Sequence, residues 1–352
     1  MAVEVTAIVV SYRDPSAALA AVDSLLAQTH APAEVIVLDN DPAGGTAAAF
    51  AGDPRLGAVT VLHPGENLGY TGAVNLAARQ ALGEWLLLIN PDAIADEDCV
   101  ERLLEAIDGE DVAIVGAQVL LPDGRVNAGE NPVNIVGISW SGRYGQAPEQ
   151  GPARDTAAVS GAALIVRRDV FDRLDGLCPY FFMYVDDTDL AWRARLAGWR
   201  VRFAPAARVV HDYEFDKGAQ KWFYLERNRA WALLSNLGLG ALVALAPVLL
   251  ATEVAVLVRA VRERWLARKL KAWWSLMARL PSLFAWRRRV QATRKVPDSR
   301  VLALFHGGVE TELLDDGPPS WVNAGLEAYR RGLLRVLGGR RSDSSVRGPG
   351  LF

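Results

Sequence analysis

The chain has 352 residues, 51% hydrophobic and 22% charged with 11 Trp, which excludes a disordered protein and leaves room for one large domain with an appendage or for two. Two cysteines, Cys99 and Cys178, exclude a disulfide framework and a thiolate metal cluster; both are expected to be buried spectators in a reducing compartment. The net charge of −3 hides an asymmetry: residues 259–300 carry thirteen Lys and Arg against two acids, +11 locally, and the remaining −14 argues against a nucleic-acid partner.

The N-terminus runs into the apolar stretch 5–10 without a basic region or cleavage site, so no signal peptide is expected and the protein is placed in the cytoplasm. Short β-branched runs at 5–10, 35–38, 59–62, 85–89 and 112–115 alternate with helical patterns at 16–28, 70–82 and 97–107. This alternation predicts an α/β fold with a Rossmann-like, mostly parallel sheet flanked by helices.

Ligands of such sheets bind outside the carboxyl ends of the strands. Those ends carry Ser11-Tyr12-Arg13, then Asp39-Asn40-Asp41, then the stretch containing Asn67, Gly69 and Gly72, and finally Asn90-Pro91-Asp92. A strand-end carboxylate such as Asp39 either accepts hydrogen bonds from a base edge or ribose or caps the next turn, and its position favours the ligand. Gly69 and Gly72 precede a helix, where backbone N–H groups approach phosphate, although a plain turn explains them too. No Gly-rich fingerprint follows the first strand, which argues against a NAD enzyme. Asp92 is the hard oxygen donor that a cation on a diphosphate takes, with an ordinary turn residue as the competing reading.

Residues 127–156 are rich in Gly and Pro and without period, and a loop of that length reads as a lid over an acceptor site. Residues 157–166 return to strand character, where Ser160-Gly161 lets the chain pass close to the donor. The aromatic run 181–184 then breaks into Asp186, Asp187 and Asp189 at a helix start. One acid suffices to cap a helix and oppose its dipole, so three make the cluster a second candidate pole of the site.

These pieces in this order, with Ser160-Gly161-Ala162-Ala163 and the closing Arg208-Val209-Val210-His211, resemble inverting glycosyltransferase family 2, above all its rhamnosyltransferase-like branch, over residues 3–300. The resemblance implies a GT-A fold, a nucleotide-diphosphate sugar donor, a divalent metal (Mg2+ or Mn2+) and a single displacement. By that likeness Asp39 reads the base, and Ser11, Arg13, Asn67, Gly69, Asn75 and Asn90 complete the donor site. Asp92 and His211 hold the metal, Asp187 is the catalytic base, and Asp186 holds the acceptor hydroxyl or orients Asp187. Asn90 stands where many members carry Asp. Without the family pattern His211 reads as a satisfied buried imidazole.

From 217 a helix runs through Trp222, Leu225 and Trp231 into twenty-three uncharged residues, 230–252, enough to span a bilayer. Ser235, Asn236, Gly238, Gly240 and Pro247 interrupt them, and a crossing would put the basic stretch outside, against the positive-inside tendency. Helices lying in the interface are therefore expected on the cytoplasmic face of the cell membrane. Trp265, Trp273, Trp274 and Trp286 would sit at headgroup depth, with Lys and Arg on anionic lipid. A soluble helix pair with a solvated basic face is the alternative.

The expected domains are 1–216 catalytic, 217–300 membrane-associating and 301–352 tail, the tail holding a linker at 315–319, a helix at 324–337 and a disordered end at 340–352. The expected activity moves a sugar, rhamnose being the first candidate, to a lipid-linked or polysaccharide acceptor. Two alternatives stand. A nucleotidyltransferase wants a Gly-rich, Arg-containing loop after the first strand, which is missing, and a non-catalytic scaffold would bind the donor without turnover.

Overall fold

A computed structural model describes residues 4–52, 57, 59–211, 218, 220–309 and 319–338. The first four predicted runs are β1 (Val5–Ser11), β2 (Glu34–Asp39), β3 (Val59–Leu62) and β4 (Trp85–Ile89), joined by α1 (Pro15–Leu26), α2 (Gly45–Phe50) and α3 (Gly69–Ala78). Asp14 caps α1 through a 3.0 Å bond from Ala17 N, and Pro15 supplies a preset first turn. β1 is buried at every position, as befits a strand covered on both faces; its Thr6 hydroxyl is satisfied by Glu34 at 2.7 Å. The four strands are parallel in the order β3-β2-β1-β4, so the chain reverses direction across the sheet between β1 and β4. The ends of these two strands flank the crevice.

The chain continues through β5 (Ala93–Ala95), α4 (Cys99–Glu105), β6 (Val112–Leu120), β7 (Val126–Ala128), β8 (Glu130–Asn131), β9 (Arg154–Asp155), β10 (Ala158–Val159), β11 (Ala163–Arg167), α5 (Arg168–Arg173), α6 (Asp186–Leu196) and β12 (Arg200–His211). The sheet extends as β4-β11-β6-β12-β5. β11 enters antiparallel between β4 and β6, whereas β12 and β6 run parallel, so the sheet is mixed and mostly parallel. Cys99 and Cys178 are free and buried, as expected.

The segment 127–156 is not the structureless loop its composition predicts. It contributes strands to the sheet edges, and Val133, Ile135 and Val136 are at most 2% exposed in the core shared with Trp192 and Phe203. The Asn134 amide oxygen accepts from Val136 N at 3.1 Å and Ile138 N at 2.9 Å, turning the backbone between the single bridges that Val133 makes to Ser139 and Asn134 to His306.

The C-terminal helices are α7 (Gln220–Asn236), α8 (Leu239–Arg262), α9 (Leu266–Ala278), α10 (Leu280–Thr293), α11 (Asp298–Leu302) and α12 (Ser320–Gly338). A buried cluster of two acids and two bases ties three of them together. Arg229 pairs with Glu226 at 2.9 Å and with Glu253 of α8, and Lys269 of α9 pairs with Glu253 at 2.7 Å and with Glu226. The charges sum to zero, which makes their burial tolerable.

α8 shows one uncovered apolar stripe, Leu239, Val243, Leu250, Val254, Val258 and Val261, each more than half exposed. It is the one described helix long and apolar enough to cross a membrane, and 11% of its most apolar window is buried. Trp274, Met277 and Phe284 extend the exposed apolar surface onto α9 and α10.

Two tryptophans expected at headgroup depth are instead internal: Trp265 stacks on Trp222 at 5.0 Å and Trp286 lies under the Arg193 guanidinium. Trp265, the residue just before α9, packs on α7, and Trp286 sits on the face of α10 turned toward α6. Another correction concerns the tail. Val301, Leu302 and Phe305 are buried, with Phe305 edge-on to Trp192 at 4.9 Å, so the start of the expected tail packs into the core through these side chains. The expected helix at 324–337 falls within α12. The 216/217 boundary, residues 315–318 of the linker and the disordered end 340–352 lie outside the described residues.

Candidate active site

The strand ends build the first half of the site. Asp39 is fully buried; its two oxygens accept from Asp41 N at 3.1 Å and from Ala47 N, in the first turn of α2, at 2.8 Å. The capping role is thus present in the fold. Asn40 laces the neighbouring loop: its Nδ2 donates to Asn67 Oδ1 at 3.0 Å and to Gly69 O, and its Oδ1 accepts from Leu68 N. Asn67 Oδ1 in turn accepts from Gly69 N at 2.9 Å. Gly69 has φ +69, and a Cβ there would stand 2.4 Å from the Phe182 ring, so only glycine lets this loop touch the acidic segment.

Arg13, also left-handed at φ 62, is exposed and reaches Asp41 at 3.9 Å. Two other expected donor residues turn their side chains inward, which corrects the sequence reading. The Ser11 hydroxyl is buried against Thr46 Oγ1 at 2.8 Å, and both ends of the Asn75 amide bond to the Leu177 backbone at 2.8 Å, bracing α3 against the loop after α5.

At the end of β4, Asn90 N donates to Ala162 O at 2.9 Å. β5 then pairs with β12 so that Ala93 faces His211, and this register delivers the imidazole to Asp92: His211 Nε2 lies 2.9 Å from Asp92 Oδ1 and 3.5 Å from Asn90 Nδ2. The expected metal pair is therefore adjacent in space. Two adjacent ligands on an octahedral ion with bonds of about 2.1 Å stand roughly 3 Å apart, and an imidazole with a carboxylate is a donor set such an ion accepts. No group of three His, Cys, Asp or Glu converges among the described residues, so an ion held by this pair would need its other ligands from outside the protein.

The second half is the start of α6. Asp187 is half-buried. Its Oδ2 accepts from Gly161 N at 2.8 Å and Asn131 Nδ2 at 3.4 Å, its Oδ1 from Thr188 N at 2.6 Å and Thr188 Oγ1 at 3.2 Å. A Cβ on residue 161 would come within 3.2 Å of the Asp187 Cβ, a tight contact that Asp187 would have to relieve by a small shift. Burial raises the Asp187 carboxyl, opposed by the Gly161 and Thr188 donors. Asp186 is buried and pushed up to about 8 by desolvation and then by the charge of Asp187. Burial and both carboxylates also raise the Tyr70 phenol, so the start of α3 faces the acidic pair.

Asp189 belongs to the scaffold. It is fully buried, bonded to Arg193 Nε at 2.7 Å and to Asn236 Nδ2 at 2.9 Å.

The two halves are stitched by backbone: Asp187 holds Gly161, and the next residue, Ala162, holds Asn90. Sequence reasoning missed Asn131, Thr188, Arg227 and Asn228. For the last two a signal existed, four consecutive polar residues, 226–229, in an otherwise aromatic and apolar helix, all of them buried.

A switch-point crevice, an Asp–His pair at one lip and a buried carboxylate pair at the other define a GT-A glycosyltransferase. Solved GalNAc-T7 with UDP, GalNAc and Mn2+ shares this fold, with a TM-score of 0.55 over 66% of this chain and 48% of that one at 15% identity. The glycosyl transferase family 2 model matches residues 6–175. N-acetylglucosaminyl-diphospho-decaprenol L-rhamnosyltransferase of Mycobacterium tuberculosis is 32% identical over 222 residues, 55% of this chain and 71% of that one. O-antigen biosynthesis protein RfbC of Myxococcus xanthus is 32% identical over 246 residues, 64% of this chain and 19% of that one. The chain belongs to glycosyltransferase family 2. It is a sugar-transferring enzyme similar to the rhamnosyltransferases of that family.

Proposed function

We propose that this enzyme transfers L-rhamnose, with inversion, from a nucleotide-diphosphate donor to a lipid-linked or polysaccharide acceptor at the cytoplasmic face of the cell membrane. The observation that carries the reading is the backbone stitch from Asp187 through Gly161 and Ala162 to Asn90, which holds a carboxylate beside the lip that Asp92 and His211 occupy. A similar protein named for a decaprenol-linked acceptor supports the acceptor class.

In this reading Asp187, ionised and held by Gly161 and Thr188, takes the acceptor proton as the new C–O bond forms and the bond to diphosphate breaks. Asp186, neutral below about 8, adds no second charge beside it. Asp92 and His211 would hold a divalent cation, which would supply charge neutralisation for the departing diphosphate. Asn67 and Gly69 shape the loop that meets the donor. The exposed stripe of α8 with Trp274 and Phe284 meets the lipid, and the basic stretch faces anionic headgroups.

The test is a thermal-stabilisation screen of nucleotide-diphosphate sugars with Mg2+ or Mn2+, followed by release of nucleoside diphosphate on adding a polyprenyl-diphosphate sugar. A ligand that binds the folded state raises apparent stability. Metal-dependent stabilisation and acceptor-dependent release are expected. Stabilisation without release by any acceptor supports the scaffold, and no stabilisation by any donor removes the proposal.

A further inference from the structure

The loop ahead of the acidic pair contains no glycine from 181 to 185, yet Phe182, Tyr184 and Val185 have φ of 67, 68 and 67. Left-handed backbone is uncommon for any non-glycine residue and an outlier for a β-branched one such as Val185. Such conformations persist only where the surroundings over-determine them, and they gather where geometry serves function. Val185 is also the N-cap of α6, so these torsions set the direction in which Asp186 and Asp187 leave the loop.

What over-determines the loop is α7. Asn228 is fully buried, and its Nδ2 donates to the carbonyls of Met183 and Tyr184, each at 2.8 Å, and of Phe181 at 3.2 Å. Two N–H bonds serve three acceptors, which draws the three carbonyls to one point. The Asn228 Oδ1 accepts from Arg227 Nε at 2.9 Å, and a carbonyl oxygen facing that donor fixes which end of the amide turns to the loop. Arg227 Nη2 adds a bond to Phe181 O at 2.7 Å, Tyr224 stacks on Phe182 at 5.5 Å, and Trp231 stacks on Tyr180 at 4.8 Å. On the far side of the helix, Glu226 and Arg229 lock α7 to α8 and α9.

We infer that Asn228, oriented by Arg227, is a positioning residue that holds the left-handed loop 181–185 and thereby aims the Asp186–Asp187 pair at the acceptor. The inference rests on the proposed role of Asp187. Asn228 touches no reacting group; it acts through three carbonyls and the N-cap. A side chain serving only stability would be equally satisfied with a relaxed loop, whereas a positioning clamp is needed because the loop is strained.

The test therefore pairs Asn228→Ala with a second change that removes the need for the clamp, Val185→Gly, since glycine adopts φ near +67 without strain. Transfer is measured with thymidine- and uridine-diphosphate L-rhamnose, and amide hydrogen exchange is followed over 181–187 without substrate. In Asn228→Ala, kcat falls at least about tenfold while the donor KM stays within about twofold, because misaligned groups lose rate more than binding. Exchange at 181–187 accelerates while β1 to β4 stay protected, and adding Val185→Gly recovers part of the lost kcat.

Wild-type kcat in Asn228→Ala overturns the inference, as does joint loss of kcat, KM and global stability with no recovery in the double variant. Should Asn228→Ala fail to fold, Asn228→Ser, which keeps one donor, is read by the same criteria. If the wild type uses neither donor, exchange decides alone: acceleration at 181–187 upholds the clamp while the donor reading fails, and unchanged exchange removes the clamp.

Discussion

His211 Nε2 and Asp92 Oδ1, 119 positions apart in the sequence, stand 2.9 Å from each other because the β5–β12 ladder pairs His211 with Ala93. The imidazole is nearly closed off at 4% exposure, whereas the Asp92 side chain is 40% exposed. One partner is thus fixed by the fold and the other opens onto the crevice.

That asymmetry predicts what metal removal and substitution do. Donor binding measured by calorimetry should require Mn2+ or Mg2+ and be abolished by EDTA. His211→Ala should weaken metal-dependent donor binding about tenfold or more, the range seen when a metal group loses a supporting partner. Asp92→Asn should weaken it further by removing the charge. Identical donor affinity in both variants, with and without metal, would sink the metal assignment.

Asp187 and Asp189, two residues apart on α6, should fail in opposite ways. Asp187→Asn keeps the size of the side chain and is expected to lose roughly 10²–10⁴-fold in kcat as a missing general base does, with donor affinity retained. Asp189→Ala leaves the Arg193 guanidinium, 1% exposed, without its 2.7 Å partner, and breaking a buried pair in this way costs about 3–5 kcal/mol. Urea unfolding and transfer assays on both variants separate the roles. A stable Asp189→Ala, or an active Asp187→Asn, contradicts the division.

The membrane proposal predicts a surface effect without a folding effect. Trp274 and Phe284 are 72% and 60% exposed, so Trp274→Glu and Phe284→Glu should leave Tm unchanged. Both should reduce flotation with anionic liposomes, and raising salt should reduce it for the wild type. α8 lies on the surface in this reading, because Glu253 in its middle is ion-paired to Arg229 and Lys269 and a crossing would leave those charges buried and unpaired. Equal flotation of wild type and both variants defeats the proposal.

β1, β2 and β4 were readable because strands buried on both faces are near-continuous apolar runs, and β3, only partly buried at the edge, by its short β-branched run; their ends could be searched for polar residues without knowing the fold. Direction was not readable: 163–167 looks like any other short apolar strand, and its antiparallel entry between β4 and β6 is set by the connections around it. Composition misled at 127–156, where the few apolar residues that reach the core are hidden among Gly and Pro. Trp286 differs from Trp274 only in helix face, and Trp265 stands at the N-cap of α9; both placements need knowledge of what packs beside them. Asn131 bonds a distant side chain, and no local pattern announces such a partner; Asn228 stands in the polar run 226–229, which marks it as unusual without naming the loop it bonds.

The acidic pair also makes a prediction about pH. The Asp186 carboxyl has a folded value of about 8 against 3.8 when free, because it is buried beside the charge of Asp187. Between roughly pH 4 and pH 8 the folded chain therefore binds a proton that the unfolded chain lacks, and the contribution of Asp186 to stability falls as pH rises through that window. Asp186→Asn removes this dependence. The variant should match the wild type in Tm near pH 4 and exceed it near pH 9, by several degrees if the neutral amide fits the same site. A Tm difference that stays constant from about pH 4 to pH 9 would mean that Asp186 is ionised throughout. Asp187, also raised, is opposed by donors from Gly161 and Thr188. Those donors favour the charged form of Asp187 over that of Asp186, which has the neighbouring charge against it, so under the proposed mechanism Asp187 is the member of the pair suited to act as base.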